Sequence, residues 1–238
     1  MGKRITQQKR GHGGPRYTAP SHRYSIKSTY LKKETGKGKI LEFTMSPAHS
    51  APIIKIGYPN HEKGFIIAAE GLRVGEDLHY GKNVNITPGN ILPLKSIPEG
   101  TRIFNIESQP GDNGKFCRSA GAFARILSKT KKKVTVQFPS KRTKDFSENC
   151  RASIGTVAGS GRSDKPFLKA GTMHRIRKAR NKLYPSVSGT SMNAVDHPFG
   201  GTLSSRKGRP TVVPKGAPPG RKVGMLRASR TGRKKGKR

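Results

Sequence analysis

The middle of the chain alternates apolar and polar side chains in short runs. Residues 54–58 read Ile-Lys-Ile-Gly-Tyr, and residues 134–138 read Val-Thr-Val-Gln-Phe. A period of two is typical of a β-strand with one buried face. The pattern therefore predicts strands at these two places. Further short strands are predicted at 39–45, 64–70, 101–107, 122–127 and 152–158.

Turn-forming residues separate these runs. Pro, Gly and Asn cluster at 59–60, 70–71, 88–90, 98–100 and 110–114. Many short strands at this spacing indicate small barrels rather than alternating strands and helices, and the stretch has room for about ten strands in two barrels. We place the boundary between the barrels near Pro88 and Gly89, because residues 92–94 begin a second set.

The pattern changes after Ala170. Residues 171–183 predict one short basic helix whose apolar positions are too few to pack well, so a binding partner would have to order it. From Tyr184 onward Gly, Pro, Ser, Lys and Arg dominate and no periodicity is visible. We expect this tail to be disordered in the absence of a partner.

Charge separates the two ends of the chain from its middle. The 238 residues hold 49 Lys and Arg against 13 Asp and Glu, for a net charge of +36. Residues 1–35 have one acid and a net charge of +8, residues 36–170 have 11 acids and +11, and residues 171–238 have one acid and +17. With 31% hydrophobic residues, 29 Gly and 17 Pro, the chain lacks apolar material for one large core. The sequence therefore predicts a small globular body with basic arms.

This excess of positive charge needs an external polyanion, because a compact globule with it would repel itself. Nucleic acid is the usual partner, since basic side chains release counterions from its phosphates. A membrane partner is not expected, because the sequence has no apolar run of spanning length, no basic amphipathic helix with an aromatic face, and no Trp. The basic N-terminus is followed by no apolar stretch and does not resemble a secretory signal.

Motifs for nucleotide or metal chemistry are missing from the sequence. It contains no GxxxxGK[ST], and Gly159 and Gly161 lack the third glycine of a dinucleotide fingerprint, so a flexible basic loop is the better interpretation. Cys117 and Cys150 are solitary, which suits packed free thiols in a reducing cytoplasm. The seven histidines form no HxxxH pair. We expect no metal site and no cofactor.

Residues 189–201 carry the one segment with candidate catalytic chemistry. Asp196 is the only acid between Asp164 and the C-terminus, and it directly precedes His197. One hypothesis is an RNA-acting enzyme with His197 as general base and Asp196 as its orienting carboxylate. Neighbouring side chains tend to diverge, however. The alternative hypothesis is that both residues hydrogen-bond to RNA and to nearby backbone amides, and we favour it.

Several motifs resemble the universal large-subunit ribosomal protein L-two family, and they occur in the family's order along essentially the whole chain. MNAVDHPFGG at 192–201 resembles the family signature, with Ala194 and Phe199 in the archaeal form. The other motifs are APSHRY at 19–24, AAEGL at 68–72, PGNILPLKSIPEGT at 88–101, SQPGDNGKFCRSAGAFA at 108–124, GRSDKPFLKAG at 161–171 and APPGRKVG at 217–224. The chain departs from the family after Gly201, where residues 202–209 replace a third glycine and a His- or Gly-rich loop.

The resemblance implies a mainly β fold, with an OB-fold barrel followed by an SH3-like barrel and long irregular basic extensions. The implied parts are an N-terminal extension at 1–35, the OB-fold-like barrel at 36–87, the SH3-like barrel at 88–170 and an rRNA-binding extension at 171–238. The implied role is a non-enzymatic constituent of the large ribosomal subunit that binds rRNA near the peptidyl-transferase centre. It would support assembly, subunit association and tRNA placement in the cytoplasm. The implied partners are large-subunit rRNA with its Mg²⁺ ions, neighbouring ribosomal proteins and small-subunit rRNA at an intersubunit bridge.

The residues predicted to contact RNA share positive charge or membership of the 189–201 segment. Aromatic residues are sparse in the tail, so phosphate contacts and Arg stacking should dominate over base stacking on aromatic rings. A duplex DNA compactor is a third hypothesis, although two barrels are more body than a compactor requires. The predicted contact residues are Arg4, Arg10, Arg16, His22, Arg23, Arg118, Arg162, Lys165, Lys169, Arg175, Arg177, Lys178, Arg180, Lys182, Met192, Asn193, Asp196, His197, Gly200, Gly201, Arg221 and Lys222.

Overall fold

The fold consists of two compact units. The computed structural model describes residues 2–30, 35–59, 62–201 and 211–228. Residues 21–168 form the first unit, here called the β unit. Residues 1–20 and 169–238 together form the second, here called the arm unit, so that the two ends of the chain fold with each other. Asn60, in the turn predicted at 59–60, and the divergent 202–209 segment lie outside the described residues.

The β unit is built on one sheet of ten short strands. In space the order is β3-β2-β1-β4-β5-β10-β6-β7-β8-β9, and every pair is antiparallel except β4 with β5. β-Bulges interrupt the register in β1 between Ile40 and Glu42 and in β7 between Ile126 and Ser128. The strands are β1 Gly36–Thr44, β2 Ile53–Gly57, β3 Lys63–Ile67, β4 Asp77–Tyr80, β5 Ile91–Pro93, β6 Arg102–Phe104, β7 Ala124–Thr130, β8 Lys133–Gln137, β9 Thr143–Ser147 and β10 Arg151–Ile154.

Two hydrophobic cores divide the sheet. The first is formed mainly by β1 to β4, and the second mainly by β5 to β10, because the alternating apolar residues of each set face inward. A third, smaller cluster around Ile67, Phe104 and Val157 packs between them. The first core contains Tyr30, Ile40, Ile54, Ile56, Tyr58, Ile66, Ala68, Leu78 and Ile91. The second contains Leu92, Leu94, Ile97, Ile103, Ile106, Ala124, Ile126, Val134, Val136, Phe146, Cys150, Ala152 and Ile154.

Tyr30 ties the segment before β1 to the second half of the sheet. Its ring is buried in the first core, while its hydroxyl lies 2.7 Å from the carbonyl oxygen of Asn105 and 2.8 Å from the hydroxyl of Ser153. A buried polar network of this kind fixes one arrangement, since an unpaired partner would be costly. Tyr30 therefore belongs structurally to the β unit.

The arm unit has little regular structure. Helix α1 spans Thr6–Gly11 and helix α2 spans Ala170–Ala179, and single 3-10 turns lie at Gly189–Ser191 and Pro219–Arg221. β11 (Val212–Val213) pairs in parallel with β12 (Met225–Leu226). A small core of Ile5, Phe199 and Val223 joins the two chain ends. In the described part of the chain, neither helix is long and apolar enough to cross a membrane.

The mainly β fold is confirmed, and each predicted strand overlaps an observed one. β4 and β9 were not predicted. The predicted helix at 171–183 is shorter than expected, because the chain turns out of α2 at Arg180 and Asn181 has a positive φ of 48°. The tail beyond Tyr184 also holds short paired elements where no periodicity was visible. The OB-fold and SH3 assignments, and the four-part division at 35, 87 and 170, stay predictions.

Candidate nucleic-acid interface

Main-chain hydrogen bonds close residues 192–201 into a compact loop, here called the signature loop. The amide of Gly201 donates to the Met192 carbonyl at 3.1 Å, and the amide of Gly200 donates to the His197 carbonyl at 2.9 Å. The amides of Asp196 and His197 both donate to the Asn193 carbonyl, at 3.0 and 3.2 Å. These bonds fix the backbone without a helix or a strand, and Pro198 stiffens its middle.

Two glycines leave room for this loop to close. A Cβ atom on Gly200 would collide with the carbonyl oxygens of Met192 and Asn193. A Cβ atom on Gly189 would collide with the imidazole ring of His197. In both cases the obstacle is held in place, by backbone in the first and by a packed ring in the second. The close approach therefore requires glycine at both positions.

The His197 ring is held in one protonation state. Its Nδ1 accepts a hydrogen bond from the Phe199 amide at 3.0 Å, and the two rings lie 5.2 Å apart. Burial lowers the pKa of His197 below its ordinary value. The imidazole is thus neutral near pH 7, and because Nδ1 is an acceptor the proton sits on Nε2. His197 can donate one hydrogen bond from Nε2 to an acceptor outside the loop.

Asp196 is directed toward the N-terminal segment. Its carboxylate lies 3.3 Å from the Lys3 ammonium, and the Lys3 amide donates to the Val195 carbonyl at 2.8 Å. Within the described ranges, no hydrogen bond joins Asp196 to His197. The carboxylate therefore does not orient the imidazole, and the arrangement lacks the base–carboxylate pair that a catalytic histidine would use.

Cations surround the signature loop. One open cleft of about 440 Å³ is lined by His197 and Gly200 and by the side chains of Lys3, Arg4 and Arg221. A second of about 410 Å³ is lined by His197 and Lys222 with polar residues of 188–190. The core of Ile5, Phe199 and Val223 holds these segments together. The arrangement combines hydrogen-bond donors with positive charge, which suits a phosphate or sugar backbone.

A third basic cleft lies beside α2 in the same unit. His174 and Lys178 are one helical turn apart, and they line a cleft of about 270 Å³ with Arg16, Lys182 and Tyr184. The side-chain nitrogen Nδ2 of Asn181 donates to the main-chain carbonyls of Pro15 and Thr18, at 2.9 and 2.8 Å. These bonds hold the turn that carries Arg16 beside the helix.

Comparison with known proteins agrees with these features. Residues 87–216 match the family described as Ribosomal Proteins L2, C-terminal domain. The chain is 48% identical to the large ribosomal subunit protein uL2 of Methanococcoides burtonii, over 98% of this chain and 100% of the relative. It is 48% identical to the protein of the same name from Archaeoglobus fulgidus, over 98% and 99%, and 45% identical to that from Haloarcula marismortui, over 98% of each.

The chain belongs to the L2 family of ribosomal proteins.

The archaeal type of the L2 family, which the resemblance implied, is confirmed by these archaeal relatives. The signature loop lies inside the matched region, whereas Lys3, Arg4, Arg221 and Lys222 lie outside it. Folding of the two chain ends into one unit brings both groups together.

The other predicted contact residues of this L2-family chain belong to the signature loop or are exposed, apart from the half-buried Arg180 and Arg118. Met192 is half-buried, while Asn193 and Gly201 are exposed. Within the arm unit, the remaining predicted cations line neither of the two clefts beside the signature loop. They are Arg10 in α1, Lys169 before α2, Arg175 and Arg177 on the exposed face of α2, and Arg180 at its end. The β unit carries His22, Arg23, Arg162 and Lys165, which are exposed.

Arg118 has a role inside the β unit that the sequence did not indicate. Its guanidinium is half-buried and donates to the carbonyls of Gly114 and Ser28, at 3.1 and 3.4 Å. Sequence reasoning also missed Lys3, His174 and Asn181. Their only signal was charge or turn-forming tendency, which many other residues of the chain share.

No metal site appears in the described part of this L2-family chain, where no three His, Cys, Asp or Glu side chains come together. Both cysteines are free thiols, and burial raises the pKa of Cys117 and of Cys150 to about 11. They are therefore protonated near pH 7 and are poor metal ligands there.

Proposed function

We propose that the chain is a structural constituent of the large ribosomal subunit and a primary binding protein of large-subunit rRNA. Near the peptidyl-transferase centre it supports assembly, subunit association and tRNA placement in the cytoplasmic ribosome. Its other partners are neighbouring ribosomal proteins and, at an intersubunit bridge, small-subunit rRNA. No cofactor is part of the proposal beyond the Mg²⁺ ions that accompany rRNA.

One observation carries the rRNA-binding part. The arm unit holds 24 of the 49 Lys and Arg residues and one acid, Asp196, which is paired with Lys3. A folded unit with this imbalance needs a polyanion to be stable. The relatives are named as large ribosomal subunit proteins, which supports rRNA as that polyanion.

The signature loop supports a positioning role rather than a chemical one. Neutral His197 offers an Nε2 donor to an RNA acceptor, and the nearby Lys and Arg side chains can donate to phosphate oxygens. Peptide-bond formation depends mainly on the orientation of its substrates, and RNA can supply that orientation. The enzyme hypothesis is disfavoured because Asp196 is directed to Lys3. Cleavage or modification of RNA by the purified protein, lost in His197→Ala, would revive that hypothesis.

Sedimentation tests the proposal. Lysate is run on sucrose gradients in moderate and high salt, and the protein is followed by immunoblot. We expect co-migration with large subunits that survives the high-salt wash, because many simultaneous phosphate contacts hold the arm unit in RNA. Migration at the top of the gradient in both salts would sink the ribosomal role. Preference of the purified protein for duplex DNA over folded rRNA would favour a compactor.

A further inference from the structure

The β unit contains a cleft that is lined by residues of this unit alone. It has a volume of about 370 Å³ and opens where the two halves of the sheet meet. Its walls come from four stretches of the chain: the end of β4, strand β5, the loop after β6, and the start of β10. The residues that line it include Tyr80, Lys82, Ile91, Lys95, Asn149 and Arg151.

The cleft exists because β4 and β5 pair only briefly. Tyr80 and Ile91 are the single register pair between these two parallel strands. Gly81 has a φ of 144° and its amide donates to the Ile91 carbonyl at 3.0 Å, after which the chain turns away. β5 continues along β10 instead, as far as the pair of Pro93 with Arg151. The two halves of the sheet therefore separate at this seam.

The floor of the cleft is apolar and its rim is positive. Ile91 and Pro93 are buried, and Tyr80 is half-buried beside them. Lys82 and Lys95 are exposed at the rim, and the Lys95 ammonium is held 3.0 Å from the Asn149 side-chain oxygen.

The carboxylate of Glu107, which also lines the cleft, does not cancel the positive charge of the rim. Glu107 is fully buried and accepts hydrogen bonds from the Arg151 amide at 2.9 Å and from its guanidinium at 2.8 Å. Its negative charge is thus neutralised inside the protein. The cleft as a whole attracts an anion at its rim and a flat apolar group at its floor.

We propose that this cleft takes one unpaired base of rRNA, turned out of its stack, with the adjoining phosphate against Lys82 and Lys95. The inference rests on the proposed function and names a contact in the β unit. A phosphate alone would leave the apolar floor uncovered, whereas an unstacked base has an apolar face for the floor and polar edges for Asn149 and backbone groups. The volume lies in the range of small-ligand pockets.

Substitution at the cleft mouth tests this with a matched control. Asn149→Trp places an indole in the cleft, and Asn149→Ala removes the same hydrogen bond to Lys95 while leaving the cleft open. With full-length protein and protein-free large-subunit rRNA, we expect Asn149→Trp to weaken binding about tenfold or more, in line with the loss of one stacked base. Asn149→Ala should weaken binding much less, about two- to threefold, because it loses one polar contact but leaves the floor open to the base.

Lys82 supplies a second pair from the opposite wall, with Lys82→Trp compared against Lys82→Gln. Both lose the charge and should lower the salt slope of binding equally, but only the Trp variant blocks the base. Equal affinity within each pair, while the wild type binds rRNA tightly, would overturn the inference and leave the proposed function standing. Failure of the wild type to bind rRNA at all would count against the proposed function itself.

Discussion

At the scale of single residues, closure of the signature loop depends on Gly200, because glycine has no Cβ atom. A methyl group there would meet two backbone carbonyl oxygens, which cannot move aside as a flexible side chain can. Overpacking of this kind costs about 1–3 kcal/mol. We therefore expect Gly200→Ala to destabilise the loop locally, so that amides of 192–201 exchange with deuterium about tenfold faster or more. Hydrogen exchange by mass spectrometry measures this directly.

Gly216→Ala is the control for that experiment. It adds the same methyl group in the same unit, but nothing lies within 4 Å of the added atom. Exchange of 192–201 should match the wild type in this variant. If Gly200→Ala also matches the wild type, the loop is not closed in the RNA-free chain.

Residue chemistry shows where sequence reasoning was sufficient and where it was not. The adjacency of Asp196 and His197 left a catalytic pair open, and only the placement of Lys3, 193 residues earlier, shows where the carboxylate points. Arg118 is an ordinary basic residue in the sequence, yet its guanidinium caps two carbonyls of the fold. In both cases the role of the side chain depends on a partner far away in the sequence. A local sequence pattern does not contain that information.

At the scale of elements, the end of α2 and the turn at 15–18 depend on one side chain. Asn181 donates two hydrogen bonds to that turn and also takes the left-handed conformation that ends the helix. Asn181→Gly removes the amide but keeps a residue suited to positive φ. Losing two hydrogen bonds should release the turn, because each contributes about 0.5–1.5 kcal/mol. We expect trypsin to cleave the RNA-free variant after Arg16 about fivefold faster or more.

Cleavage after Arg10 is the internal control, because α1 does not receive these bonds. Its rate should be the same in the variant and the wild type. Fast cleavage after Arg16 in both proteins would mean that the tie between α2 and the turn forms only on RNA.

The strands that the sequence predicted each bury two or more residues. β4 and β9 were not predicted, because each strand buries only one side chain, Leu78 in β4 and Phe146 in β9. The small core of the arm unit could not be predicted from the sequence either. Ile5, Phe199 and Val223 stand far apart in the sequence and in no periodic run, so only the fold brings them together.

At the scale of the whole molecule, the placement of charge matters more than its amount. The net charge of +36 attracts any polyanion, but bound phosphates release counterions only where cations touch them. Arg175, Arg177, Lys178 and Lys182 are exposed on or just after α2. Replacing all four with Gln, a good helix former, removes four charges and keeps the helix. We expect the slope of log affinity for rRNA against log salt to become shallower by about 3, at 0.7–0.9 per phosphate contact.

A second fourfold variant separates contact from general attraction. Lys131 and Lys132 lie in the turn before β8, Lys133 is the first residue of β8, and Lys141 lies in the turn after it. All four are exposed, so changing them to Gln lowers the net charge by the same amount. If α2 touches phosphates, the slope changes in the first variant and stays near the wild-type value in the second. Equal slopes in the two variants would mean that the arm unit attracts RNA without binding it at α2. The basic cleft between Arg16 and the helix would then have no phosphate to hold.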